Sequence, residues 1–143
     1  MSKTVHIASD HAGFALKRIV LDHLAKQDRV LRDHGADSTQ SCDYPIYAQA
    51  LCKAVLAGGE LGILICGSGL GMSMMANRFR GIRAAVCTNE FLASVARRHN
   101  NANVLCLGER VVGAGLALAI VDAFLQNEFE GGRHLGRIAM LDC

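Results

Sequence analysis

Aromatic residues are scarce in this chain: they make up 5% of 143 residues, with two tyrosines and no tryptophan. So few rings do not build the stacking platform that single-stranded nucleic acids need, and they suit a core packed from Ala, Leu, Val and Ile. A one-sided charge is missing too. The formal net charge of +2 is too small to argue for a nucleic-acid binder. Long apolar runs are lacking: Val111–Leu125 is interrupted by Gly113, Gly115 and Asp122, so it is too short and too polar to span a membrane. Thr4–Ala8 is far shorter than the apolar part of a secretory leader, and the first residues carry no basic cluster. No C-x-x-C pair occurs among the six cysteines, which argues against a structural zinc site. Cys66, Cys87 and Cys106 each end or sit inside an apolar run, as buried reduced thiols do. The expectation is a reduced, cytoplasmic protein.

What is present is an alternation of apolar runs and helical patterns. Thr4–Ala8 reads as a first strand, followed by a helix from Phe14 to about Gln27 with Leu16, Ile19, Val20 and Leu24 at roughly helical spacing. Val30–Asp33 is a short second strand. A polar loop from His34 to Asp43 is closed by Tyr44-Pro45, where the only proline suits a helix's first turn, and Ile46–Ala57 reads as the second helix. Leu61–Cys66 is a buried strand that breaks into Gly67-Ser68-Gly69-Leu70-Gly71 before a helix-compatible segment, Met72–Asn77. Ile82–Val86 and Val104–Leu107 read as further strands. Asn89–His99, capped by Asn89, and Gly113–Leu125 read as helices, and Arg133–Leu141 is long enough for a terminal helix. Strands alternating with helices of about 10–15 residues predict βαβ units. The expected fold is a single α/β domain over 1–143, doubly wound in three layers. It has a five-stranded, mostly parallel, Rossmann-like sheet with right-handed crossovers, and a C-terminal helix.

The chemistry concentrates around Cys66. Glycines at a strand-to-helix turn let bare amides approach a ligand, and the helix start adds positive dipole suited to an anion or a developing oxyanion. The same surroundings favour a thiolate. Cys66 is thus either a catalytic thiol or a packing residue, and the other five cysteines read as packing residues. Asp10-His11 follows the first strand and should share its sheet edge with Cys66; the pair either holds sugar hydroxyls and a phosphate or merely caps the next helix. His99-Asn100 ends a helix, where an imidazolium caps the dipole or acts as a general acid/base. Arg110 follows the last strand. Arg133 and Arg137 are four apart, so on a helix they share a face, either solvated or gripping a phosphate.

Familiar phosphate and nucleophile motifs do not fit. A dinucleotide fingerprint would follow the first strand and place an acidic residue at the end of the next one; Val86-Cys87-Thr88 carries none, and Glu90 belongs to a helix. A Walker loop needs Gly-Lys-Ser/Thr, and a nucleophile elbow needs glycine where Cys66 stands.

Taken together, the chain resembles the type B ribose-5-phosphate isomerases, a family that also holds the galactose-6-phosphate isomerase subunits. The resemblance rests on Ser9-Asp10-His11-Ala12-Gly13-Phe14, Asp43-Tyr44-Pro45, Gly62 through Gly71, and Asn77-Arg78-Phe79-x-Gly81-Ile82-Arg83-Ala84. Arg98-His99-Asn100-x-x-Asn103-Val104-Leu105 and Gly131-Gly132-Arg133-His134-x-x-Arg137 complete it, so it spans essentially the whole chain. It implies interconversion of ribose 5-phosphate and ribulose 5-phosphate through an enediolate, in the non-oxidative pentose phosphate pathway. Cys66 would be the base, and the Gly67–Gly71 segment would steady the substrate oxygen. Ser68 would relay a proton, His99 would open the furanose ring, and Asp10 would hold the ring oxygen or hydroxyls. Asp43, Tyr44 and Asn100 would lie near the sugar, while His11, Arg110, Arg133 and Arg137 would bind the phosphate. No metal or cofactor is implied. The resemblance also implies a homodimer or tetramer whose sites are shared between subunits, so that His99-Asn100 and some arginines serve the neighbour's Cys66. An isomerase of allose 6-phosphate or galactose 6-phosphate, or a non-catalytic phosphosugar sensor, would be the alternatives.

Overall fold

The computed structural model describes residues 3–143. Five strands, β1 (Thr4–Ser9), β2 (Val30–Asp33), β3 (Leu61–Cys66), β4 (Ala84–Val86) and β5 (Val104–Gly108), form one sheet in the order β2-β1-β3-β5-β4. Every pairing is parallel, so the sheet is wholly rather than mostly parallel. The helices are α1 (Phe14–Ala25), α2 (Tyr44–Gly58), α3 (Leu70–Ala76), α4 (Glu90–Arg98), α5 (Ala114–Gln126) and α6 (His134–Leu141).

Strand alternation divides the core into two layers. Ile7, Ile63, Ile65, Leu105 and Leu107 face α1, α4 and α5, while Ala8, Leu64, Cys66, Val104 and Cys106 face α2 and α3. The crossovers running toward β2, and from β4 back to β5, use the first face; those running toward β4 use the second. One handedness for all connections requires that arrangement, and three layers result. Each fully buried Leu, Ile or Phe contributes about 1.5–3 kcal/mol by leaving water.

Local chemistry sets most boundaries. Pro45 lies in the first turn of α2, which therefore starts at Tyr44, two residues before the expected Ile46. The Asn89 side chain accepts from Leu92 N at 2.9 Å and caps α4. Strand β4 is shorter than expected because Ile82 N donates to Phe79 O and Arg83 N to Asn103 Oδ1, removing both from the ladder. Lys17 is fully buried on α1, and its Nζ donates to Asp33 Oδ1 at 2.8 Å and to Ala36 O at 2.5 Å. That ties α1 to the chain leaving β2. Among the described residues, no helix is long and apolar enough to cross a membrane.

Candidate active site

Strand β1 sends its connection toward β2, while β3 lies on its other side, so the sheet's winding reverses between β1 and β3. The crevice beyond the carboxyl ends of such strands is where open α/β sheets bind ligands. A cavity of about 570 Å³ opens there, and its lining includes Asp10, His11, Tyr44, Cys66, Ser68 and Arg110.

Cys66 ends β3 and is 6% exposed, at the cavity floor. The amide of Gly69 donates to its sulfur at 3.1 Å, the contact a thiolate makes best. Gly69 reaches that position with φ of +82°, a backbone conformation in which a side chain would be strained. Gly108, paired with Cys66 across the sheet, sits so close to the Ser68 backbone that a Cβ would come within 2.6 Å. The turn is therefore folded down onto the end of β5. Within it the Leu70 amide donates to Ser68 Oγ at 3.2 Å, so the amides of Gly69 and Leu70 are both occupied inside the turn.

The remaining thiols divide differently from the expectation. Burial pushes Cys52 up to about 12 and Cys87 up to about 11, and holds Cys106 well above the usual thiol range. These three are inert packing residues. Cys42 is instead half-buried in the loop before α2, and Cys143 is exposed at the chain end, so neither belongs to the core.

Asp10 Oδ1 accepts from the amides of Ala12 at 2.9 Å and Gly13 at 3.1 Å, capping a short 3-10 turn, His11–Gly13. The capping reading is thus correct for one oxygen, and Asp10 still lines the cavity. The Cys42 amide donates to His11 Nδ1 at 3.1 Å. An amide can only donate, so a neutral His11 carries its proton on Nε2 and offers a donor to a ligand. Arg110 is placed by its own amide, which donates to Gly67 O at 3.0 Å, and its guanidinium flanks Gly67. The Tyr44 ring packs on Gly71. Asp43 precedes α2, exposed and without a side-chain cap bond.

The other expected residues lie elsewhere. His99 terminates α4, which runs down from the cavity edge, so it sits at the opposite end of the sheet from Cys66. Strand length puts the two roughly 17 Å apart. His99 stacks on His134 with ring centroids 4.6 Å apart, and its Nε2 is 3.8 Å from Glu130 Oε1. Arg133 and Arg137 flank His134 at the start of α6 and are exposed. Asn100 lines a separate hollow of about 440 Å³ with Asn77 and Arg83. One chain therefore brings together Asp10, His11, Tyr44, Cys66, Gly67, Ser68, Gly71 and Arg110 around the cavity, and holds His99, Arg133 and Arg137 apart from them.

Sequence reasoning missed three contributors. Met74 and Val111 line the cavity mouth, and only their nearness to Gly71 and Arg110 pointed there. Glu109, whose Oε1 accepts from Leu16 N at 2.7 Å, anchors the start of α1 behind the site.

Residues 5–141 match the family model described as Ribose/Galactose Isomerase. The chain is 48% identical over 138 residues to ribose-5-phosphate isomerase B of Escherichia coli, covering 95% of this chain and 92% of that one. A ribose 5-phosphate isomerase structure from Thermotoga maritima superposes with a TM-score of 0.97 at 49% identity, covering 99% of both chains. Ribose-5-phosphate isomerase B of Mycoplasma genitalium, solved with bound ribulose-5-phosphate, gives a TM-score of 0.94 at 43% identity, covering 99% of this chain and 95% of that one. The match runs along nearly the full length, in sequence and in backbone: the chain belongs to the Ribose/Galactose Isomerase family.

Proposed function

We propose that this chain is an aldose-ketose isomerase that interconverts ribose 5-phosphate and ribulose 5-phosphate, with 1–143 acting as one sugar-phosphate domain. The observation that carries this reading is the Cys66 sulfur on the cavity floor, with an amide donor behind it and Asp10, His11, Ser68 and Arg110 around it. The relatives named above act as such isomerases, and one holds ribulose-5-phosphate.

The chemistry follows from the residues. The Cys66 thiolate takes the proton from C2 of the open-chain aldose, leaving an enediolate and a neutral thiol, which then returns the proton to C1. The hydroxyl proton moves from O2 to O1, with the Ser68 hydroxyl within the same cavity as relay. His11, donating from Nε2, and Arg110 hold the phosphate by charge-assisted hydrogen bonds. Asp10 holds sugar hydroxyls with its free oxygen.

Among the described residues, the cavity of one chain has no free histidine for ring opening, because His11 Nδ1 is occupied and His99 is at the far end of the sheet. We assign that role to His99 of the partner subunit in a homodimer, with Arg133 of the partner subunit and Arg137 of the partner subunit completing the phosphate site. Two exposed apolar surfaces support this pairing. Leu70, Met74 and Val111 surround the cavity mouth, and Leu135, Met140 and Leu141 lie on α6 beside His99; all are more than half exposed. Burying such surface is what an obligate interface does. The free thiols suit the cytoplasm.

The test is an isomerisation assay without added metal on ribose 5-phosphate and allose 6-phosphate, using wild type and Cys66→Ala. Turnover of ribose 5-phosphate that falls at least about a hundredfold in the variant, with binding kept, supports the assignment. Turnover of the six-carbon sugar alone would move the substrate assignment, and unchanged turnover in the variant would remove Cys66 as base.

A further inference from the structure

We infer that His99, Glu130 and His134 form a binding site for a divalent transition-metal ion of the zinc class. One ligand-capable atom from each lies within 4.8 Å of the other two. Glu130 Oε1 is 3.8 Å from His99 Nε2 and 4.0 Å from His134 Nε2. Two imidazoles and a carboxylate are a ligand set that zinc takes in open sites, where a fourth position stays free for an exchangeable oxygen.

Several features prepare the cluster. His134 is 7% exposed, and its Nε2 is buried with no hydrogen-bond partner. A buried nitrogen without a partner is costly, and a metal bond would satisfy it. The carboxylate is fixed as well. Arg98 Nε donates to Glu130 Oε2 at 2.7 Å, and the Glu130 amide donates to Arg98 O at 3.0 Å, which leaves Oε1 turned toward the histidines.

Binding needs a small rearrangement. Bond lengths of about 2.0–2.1 Å in a tetrahedral site put ligand atoms about 3.3 Å apart, so the carboxylate–imidazole separations must shrink by roughly 0.5–0.7 Å and the two histidine nitrogens must also close up. The stacked rings, at an interplanar angle of 12°, must also tilt until their lone pairs converge. Of the two histidines His99 has the room to adjust, since its side chain is 35% exposed and makes no hydrogen bond among the described residues. Calcium and magnesium, which prefer sites built of oxygen ligands, are excluded by the two nitrogens. Arg133 and Arg137, both exposed nearby, repel a dication and lower the expected affinity.

One consequence rests on the isomerase reading. A bound ion occupies the imidazole assigned to ring opening, so zinc should inhibit reversibly and most strongly when the substrate is cyclic ribose 5-phosphate.

The experiment is zinc binding to chelator-treated protein by equilibrium dialysis and calorimetry, with cobalt absorption as a reporter of nitrogen and oxygen ligation. Wild type should bind one zinc per chain, and Glu130→Gln should weaken it by at least about tenfold. Glu130 is exposed, so that variant keeps its fold; His134→Asn should weaken binding similarly and provides a second reading. Cys66→Ala, Cys42→Ser and Cys143→Ser should bind zinc as wild type does. Undiminished binding in Glu130→Gln, or binding lost in a cysteine variant with thiolate bands in the cobalt spectrum, would overturn the site. Binding that follows Glu130 but leaves turnover intact would uphold the metal site and count against His99 as the ring-opening group.

Discussion

Cys66 differs from the other buried thiols by one contact and one position: an amide donor at its sulfur, and a place at the mouth-facing end of its strand. Cys52, Cys87 and Cys106 are buried away from the cavity, and burial holds each as a neutral thiol. Sequence singled Cys66 out because glycines follow it at once, and that signal is physical: only glycine reaches the backbone geometry that turns an amide onto the sulfur. Arg110 has no such flag in the sequence beyond following a strand, yet its guanidinium beside Gly67 is well placed for an anion. Arg110→Ala should raise KM for ribose 5-phosphate by about tenfold or more with a smaller change in kcat, as the loss of a charged hydrogen bond worth about 1.5–3 kcal/mol implies. Steady-state kinetics checks it, and an unchanged KM would remove Arg110 from the phosphate site.

The element-scale reading was largely legible because periodicity and punctuation agree. Pro45, Asn89 and the glycines after Cys66 mark ends that the structure keeps, within one or two residues. What was not legible is where side chains compete for backbone groups. Asn103 takes the Arg83 amide and shortens β4, and no local pattern announces a partner twenty residues away. The buried Lys17 escaped notice for the same reason: in sequence it is one of the lysines and arginines of a helix, and its partners Asp33 and Ala36 meet it only in the fold. Lys17→Ala should destabilise the protein by about 3–5 kcal/mol, whereas Lys17→Met, which fills the space and leaves Asp33 to solvent, should cost much less. Urea unfolding distinguishes them, and equal losses would show that the lost bonds of Lys17 Nζ to Asp33 and Ala36, not the unfilled space, carry the cost.

A chain of side chains also joins β1 to its neighbours. His6 Nδ1 lies 2.9 Å from His34 Nε2, and His6 Nε2 lies 2.8 Å from Glu60 Oε1. Burial, and then the neighbouring His6, holds His34 below the usual histidine range against the opposing pull of Asp33. Hydrogen bonds from His6 and Thr4 hold Glu60 below the usual carboxylate range. Both folded-state values lie under the unfolded ones, so the unfolded chain binds more protons on the acid side. Their stabilisation is complete above about pH 6.5, falls as pH drops through the lowered histidine value, and falls again as Glu60 protonates. The urea midpoint should therefore decline as pH falls below about 6.5 in wild type and decline less in His34→Asn. Identical slopes would show that His34 is not the group responsible.

At the scale of the whole molecule, the sheet separates the two halves of the proposed chemistry. Both halves were readable as motifs, Cys66 with its glycines and His99 with the C-terminal arginines, but their separation was not, because it depends on α4 running back down the sheet. The account therefore turns on a second copy of the chain. The direct test is to co-express Cys66→Ala and His99→Ala chains carrying different tags and purify the mixed dimer. A shared site predicts that the mixed dimer, built from two inactive parents, recovers about half of wild-type turnover, because one of its two symmetric sites then holds an intact Cys66 and an intact His99. A purified mixed dimer as inactive as its parents would contradict the account.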